Sequence, residues 1–363
     1  MNSKNIISRR SFMQTSALTV AASALAASNA AAKPNNIKLG FDNFSVRACK
    51  WKAPQLIEYA ASLNVDTLMM SDLGVYESLD ESYLKKIKAM ADKHGVELQA
   101  GTGSICPTSK AYRRQEPAVE HAKTLIRVAK TLGTDVARCY LGTRADREGD
   151  GGIYRHIEEM VKVCKAVESY AKDAGVKLAI ENHAGDLQAW ELKMLIEEAG
   201  KDYVGCTIDS GNATWTIEDP LVNLEILGPY SVSAGQRDSA VWETEEGAKV
   251  MWCNMGDGTV DWQAYMKRYK ELCPDCPFVL EILSYTWERD IPYLKPEFWD
   301  VYPKARASEF ARFVAMAKRG EKYTIPAERP KSANQRSSTP EQQKWDLERS
   351  LAYCREVLGM GRK

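Results

Sequence analysis

Residues 177–185 read KLAIENHAG. Lys177 to Ile180 is an apolar, strand-like run, and it finishes on Glu181, Asn182 and His183. An unpaired carboxylate in a core is costly. A strand that ends this way therefore needs a partner for Glu181: another side chain, solvent at the strand end, or a metal ion.

Outward from this stretch the pattern alternates. Short apolar, β-branched runs include IKLGFD from Ile37, DTLMMSD from Asp66, VELQAGTG from Val96 and DVARCYLG from Asp135. VGCTIDSG from Val204, SVSAGQRDS from Ser231 and FVLEILS from Phe278 continue the series past KLAIENH. Between them lie segments with helical periodicity, such as APQLIEYAASLN, AVEHAKTLIRVAKTLG and IYRHIEEMVKVCKAVESYAKDAG. Several end on a glycine just before the next strand, as a helix C-cap should. Eight strands alternating with helices predict a (β/α)8 TIM barrel over residues 37–318. An open doubly wound sheet is the alternative, but no glycine-rich nucleotide loop follows the first strand. Residues 242–261 read as a hairpin or long loop after the seventh strand. Residues 319–363 read as a polar linker and an added C-terminal helix capped at Thr339-Pro340, with Trp345, Leu347, Leu351 and Val357 expected against the barrel.

The totals narrow the function. The chain has 363 residues, with 49 Lys+Arg against 49 Asp+Glu. That balance offers no basic surface for a nucleic acid. Nine cysteines are scattered, and only Cys273 and Cys276 are closely spaced, as a local disulfide or two thiols. The N-terminus is distinct. Arg9-Arg10, Phe12 and an Ala-rich run ending NAAAK resemble a twin-arginine export signal, expected to span residues 1–32. Its removal takes Lys4, Arg9 and Arg10 and no acid, leaving a net charge of −3 and an exported, periplasmic protein. No later stretch is long and apolar enough to span a membrane.

In a (β/α)8 barrel the active site lies at the C-terminal strand ends. Strands five, six and eight each deliver a carboxylate there: Glu181, Asp209 and Glu281. Three converging carboxylates repel one another without a cation. Hard oxygen ligands suit a divalent ion, Mn²⁺ or Mg²⁺. The other reading is three separate carboxylates, each capping a helix or paired to a lysine.

The segments AIENH, TIDSGN, GQRDSAVWE, GDGTVDW and VLEI together resemble the xylose-isomerase-like barrel superfamily, over about residues 37–318. That superfamily includes sugar isomerases, ketose 3-epimerases, inosose dehydratases and endonucleases of the endonuclease IV type. In the epimerase branch a Glu, an Asp, a His and a second Glu bind one divalent metal. The resemblance carries these to Glu181, Asp209 and Glu281, but the histidine motif His-x-Lys/Arg-Asp reads GQRD, with Gly235 in the histidine's place. Gln236 is then the expected fourth ligand, presented by a small strand distortion, with a water in that position or His183 as the alternatives. His183, Asn212, Arg237 and Trp242 are expected substrate contacts, and Asp238 is expected to fix Arg237 or to be purely structural.

A metal flanked by two glutamates suits proton transfer at a carbon beside a carbonyl. Glu181 and Glu281 are the expected acid/base pair of a sugar epimerase or isomerase. A lyase or dehydratase acting through the same enediolate is the alternative, and a sugar-binding barrel without catalysis is another. The expected partner is a small carbohydrate: a free sugar, keto-sugar or glycoside. Assembly into homo-oligomers is left open by the sequence.

Overall fold

The computed structural model of the chain describes residues 37–331 and 338–362. The expected export signal, residues 1–32, lies outside them. The apolar runs form β1 (Leu39–Asp42), β2 (Thr67–Met70), β3 (Glu97–Ser104), β4 (Val136–Tyr140), β5 (Lys177–Glu181), β6 (Val204–Ile208) and β7 (Ser231–Ala234). A hairpin, β8 (Asp238–Thr244) and β9 (Gly247–Cys253), follows. Then come β10 (Phe278–Leu280) and β11 (Glu288–Ile291). Strands β1–β7 and β10 make one parallel sheet in the order β10-β1-β2-β3-β4-β5-β6-β7. β5 and β6 are buried on both faces, as strands of a parallel sheet covered by helices must be. The sheet curls until β7 meets β10 at one parallel bridge, Gln236 to Leu280. Gln236 N donates to Val279 O at 2.7 Å, and Glu281 N donates to Gln236 O at 3.0 Å. The architecture is a (β/α)8 TIM barrel.

The intervening helices are α1 (Ala53–Ser62), α2 (Glu81–His94), α3 (Ala118–Thr131), α4 (Gly152–Ala166), α5 (Glu168–Ala174), α6 (Ala189–Ala199), α7 (Ser210–Trp215), α8 (Pro220–Leu227), α9 (Trp262–Leu272) and α10 (Ala307–Arg319). α3 shows the logic: Ala122, Leu125, Ile126 and Ala129 recur at helical spacing and are buried. The helix expected to run from Ile153 to Ala174 is two. At Val167 the backbone leaves the helical region (φ −109°, ψ 5°), and its N–H bonds to Cys164 O three residues back. That tightened turn redirects α5. α5 ends on Gly175, whose φ of 66° only a residue without Cβ adopts freely.

β8, β9 and β11 form a separate antiparallel sheet beside the barrel mouth. The hairpin was legible in the sequence. β11 was not, because its partner β9 is distant in the chain and its own residues are mostly exposed. The nine cysteines are all free thiols, Cys273 and Cys276 included. No helix among the described residues is long and apolar enough to cross a membrane.

The C-terminal helix α11 (Pro340–Glu356) begins with the expected cap. Thr339 Oγ1 accepts from Gln342 N at 3.2 Å, and Gln342 Oε1 accepts from Thr339 N at 3.0 Å. It lies against the turn after β1, where Gln343 Oε1 accepts from Ala48 N at 2.8 Å. Leu347, Leu351 and Cys354 are buried, whereas Trp345 is half-buried and Val357 is exposed, so the last two do not join the core. Leu351→Ala should destabilise the protein by about 2–5 kcal/mol, the usual range for an emptied core leucine position. Urea unfolding checks this, and an unchanged midpoint would mean the helix adds nothing to the folded body.

Candidate active site

At the C-terminal ends of β5, β6 and β10 the chain places Glu181, Asp209 and Glu281, all buried. Each offers an oxygen, and these oxygens all lie within 4.8 Å of one another. The three form a candidate metal site. Asp209 is fixed as the N-cap of α7, accepting from Asn212 N at 2.8 Å. Asn182, next to Glu181, clasps the neighbouring strand: its Nδ2 donates to Asp209 O at 2.8 Å, and its Oδ1 accepts from Asp209 N at 2.9 Å. Asn212 Nδ2 bridges the acids, donating to Glu181 Oε1 at 3.0 Å and Asp209 Oδ2 at 2.8 Å.

Two arginines answer the question raised by Glu181. Arg138 of β4 donates from Nε to Glu181 Oε2 at 2.6 Å and from Nη1 to Thr102 O at 2.9 Å. Arg237 Nη2 donates to Asp209 Oδ2 and, at 2.5 Å, to Glu281 Oε2. Burial alone would raise the Glu281 carboxyl. Arg237 and then Arg138 outweigh burial and hold it below the usual range. Asp42, at the end of β1, accepts from Ser71 Oγ at 2.6 Å. Burial, with the Glu281 charge added, pushes it up to about 7.

His183 lies beside this cluster. Its ring stacks on Tyr140, with centroids 3.8 Å apart and planes 8° apart. Its Nδ1 lies 2.7 Å from Gly142 O, and a carbonyl only accepts, so Nδ1 carries the proton and Nε2 is left as an acceptor. Burial, and then Arg138, lower the imidazole to about 4, so it is neutral near pH 7. The chain turns away at once, through Ala184 (φ 34°) and Gly185 (φ 85°).

Several sequence expectations change here. Successive residues of a strand point to opposite sides. A Cβ on Gly235 would lie 3.3 Å from Asp209 Oδ2 and 3.4 Å from Glu281 Oε2, so position 235 faces the acids. Gln236 therefore points outward. Its Nε2 donates to Ile208 O at 3.0 Å, and its amide lies beside the Tyr265 hydroxyl of α9, so it is not a fourth ligand. Arg237 is held by two carboxylates rather than free for a substrate oxygen. It crosses Gly211 so closely that a Cβ there would lie 2.2 Å from Arg237 Cγ. Asp238 does not fix Arg237. It accepts from Gly256 N at 3.0 Å, Gly258 N at 3.1 Å and Trp262 Nε1 at 2.8 Å, closing the loop after the hairpin. Trp242 packs near Tyr323, centroids 5.8 Å apart, and not at the mouth. The mouth is lined instead by Phe44, Trp215, Trp252 and Trp287, together with His183 and Asn212. Tyr140 was a missed residue with a signal: it pairs in register with Glu181, so the strand-end rule reaches it. Phe44 lies in a short turn with no periodicity to read.

Three hard oxygens on rigid strand ends, with position 235 facing them, fit one divalent cation. The guanidinium of Arg237 supplies the positive charge between Asp209 and Glu281 here, so an ion at the three acids requires that side chain to shift.

A parallel barrel with a buried carboxylate trio at its C-terminal mouth defines a class of protein, and the comparisons place the chain within it. Residues 57–298 match the xylose isomerase-like TIM barrel family, and the chain belongs to that family. A D-psicose 3-epimerase crystallised in the presence of D-fructose is similar in structure, with TM-score 0.59 and 16% identity, covering 89% of this chain and 100% of that one. The IOLI protein with a bound zinc atom has TM-score 0.53 and 16% identity, covering 77% and 95%. A probable 3-DHS dehydratase, AsbF from Bacillus anthracis, has TM-score 0.52 and 12% identity, covering 68% and 92%. At these identities the likeness is one of fold. No curated sequence matches the chain.

Proposed function

We propose that this protein is an exported carbohydrate epimerase or isomerase that moves a proton at the carbon beside a sugar carbonyl. The observation that carries the reading is that Glu181 and Glu281 end β5 and β10, with Asp209 at the end of β6 between them in strand order, and that the three buried acids offer oxygens within 4.8 Å of one another. The ketose 3-epimerase among the similar structures supports it. Glu281, ionised beside Arg237 and Arg138, is the base, and Glu181, whose carboxyl burial pushes well above its ordinary value, supplies a second proton on the other face. His183 Nε2 accepts a substrate hydroxyl. Arg138 and Asn212 hold Glu181 in place. Mn²⁺ or Mg²⁺ held by Glu181, Asp209 and Glu281 would stabilise the negative charge that develops on the substrate oxygens. The substrate is a free sugar, keto-sugar or glycoside. Incubation with keto-sugars in D₂O tests the reading: deuterium should enter at the carbon beside the carbonyl. Turnover without deuterium in substrate or product would refute it. The similarity to a probable dehydratase supports a second reading, elimination from the same intermediate.

Gly235, which faces Asp209 and Glu281, gives a separate test of the metal. Gly235→His adds the nitrogen ligand that the family pattern has there. It should tighten Mn²⁺ by about 10–100-fold, the size of effect that residues shaping a metal site exert. A Mn²⁺ titration read by thermal shift would be unchanged if the three acids do not share an ion. Export is tested by changing Arg9 and Arg10 together to lysine. The precursor should then stay in the cytoplasm, and undiminished periplasmic delivery would rule out the twin-arginine route.

A further inference from the structure

Two cavities meet at the barrel mouth, and their walls differ. One, of about 450 Å³, is walled by Trp215, Trp252, Trp287 and Leu283. The other, of about 440 Å³, is walled by Ser71, Asp72, Arg114, Arg138 and Tyr140. Phe44, His183 and Glu281 line both. Each half alone falls in the range of about 300–1,000 Å³ typical of a small-molecule site. Each half is large enough for one ring, so a monosaccharide in the polar half would leave the aromatic half free.

The aromatic half is built with care. Trp215 and Trp252 stack in parallel, centroids 3.9 Å apart, and Trp287 meets Trp252 edge-on at 5.9 Å. Arg47 lies over both Phe44, at 4.7 Å, and Trp287, at 5.2 Å, which fixes the two exposed rings of the wall. Phe44 is 38% and Trp287 39% exposed, an unusual state for rings so braced. Three polar atoms on residues lining this half are buried with no partner among the described residues: Asn212 Oδ1, Trp215 Nε1 and Arg237 Nε. Buried polar atoms are normally paired. The unpaired acceptor and donors lie on the aromatic half itself, so a ligand reaching into that half would meet them.

We propose that the site takes a glycoside, with its sugar ring in the polar half over Glu281 and a flat apolar aglycone against Trp287 and Phe44. This rests on reading the mouth as a sugar site and names the substrate class within that reading. A glycosidic bond closes the anomeric carbon as an acetal, so the carbonyl required for proton transfer sits on an oxidised ring carbon.

Calorimetric titration of the purified protein with matched phenyl and methyl glycosides of glucose, galactose and mannose, in both anomers, tests this, with phenol alone as control. At least one phenyl member should bind about tenfold tighter than its methyl partner, the worth of one good aromatic contact. Trp287→Ala should erase that gap and leave the methyl glycoside's affinity unchanged. Trp287 is partly exposed, so the variant should fold, and circular dichroism confirms that it has. Equal affinities in every pair, no binding by any member, a gap that survives Trp287→Ala, or phenol binding as tightly as the phenyl glycoside would each overturn the two-part site. Deuterium exchange on free keto-sugars with equal affinities overturns this inference and spares the proposed reaction. Selective aryl-glycoside binding with no exchange on any keto-sugar or ring-oxidised glycoside does the reverse.

Discussion

Glu281→Gln is expected to lower deuterium exchange at the carbon beside the substrate carbonyl by about 10²–10⁴-fold, the contribution of a positioned acid/base group. The variant keeps the shape of the side chain and removes its charge. Glu281 accepts from Arg237 Nη2, and Arg237 and then Arg138 outweigh burial and keep it ionised near neutral pH, the form that can accept a proton. Glu181→Gln should suppress exchange in the same range, since its oxygens face the same pit and are fixed by Arg138 and Asn212. Both acids also belong to the candidate metal site, so a Mn²⁺ thermal shift must be recorded beside the exchange rate. Exchange lost while the Mn²⁺ shift remains assigns the residue to proton transfer. Exchange lost together with the shift assigns it to holding the ion. Undiminished exchange in Glu281→Gln would remove it from the chemistry.

Arg147→Met should destabilise the fold by about 3–5 kcal/mol, the cost of leaving one partner of a buried ion pair alone. Arg147 and Glu191 are both fully buried. Two parallel bonds join them, Nη1 to Oε2 at 2.7 Å and Nη2 to Oε1 at 2.9 Å. Arg147 also donates to Asp186 O at 2.5 Å and Val301 O at 2.9 Å, and its guanidinium lies 4.3 Å from the centre of the Tyr302 ring. The pair thus ties the turn after β4 to the start of α6 and to the segment that carries His183. Asp186 in turn accepts from His183 N at 2.8 Å. With Met at 147, the buried Glu191 carboxyl loses its counter-ion. Replacing both, as Arg147→Met with Glu191→Leu, should recover a large part of the loss, because no unpaired charge remains. Urea denaturation of the single and double variants measures this. A double variant no more stable than the single one would show that the bonds to Asp186 and Val301, and not the charge pair, carry the stabilisation.

The sequence by itself determined the barrel. Short continuous apolar runs alternating with helical periodicity, closed by glycine caps such as Gly175, leave few other ways to bury both faces of eight strands. It also determined the level of the site, since Glu181, Asp209 and Glu281 each follow the last apolar residue of a strand. The direction of each side chain around that level was decided only by the tertiary structure. Gly235 and Gln236 are neighbours in the chain, and their backbone bonds to β6 and β10 set which one faces the acids and which one faces Tyr265. Pairing across the pit is equally invisible in one dimension. Arg138 meets Glu181, and Arg237 reaches Asp209 and Glu281, because barrel closure brings strands from distant parts of the chain together. The aromatic wall follows the same rule. Its rings come from Phe44, Trp215, Trp252 and Trp287, on four separate segments, and their convergence depends on how the β8–β9–β11 sheet packs beside the mouth. Local pattern fixes which residues are buried and where strands stop. Long-range packing fixes which side chains meet, because that depends on contacts a single segment does not contain.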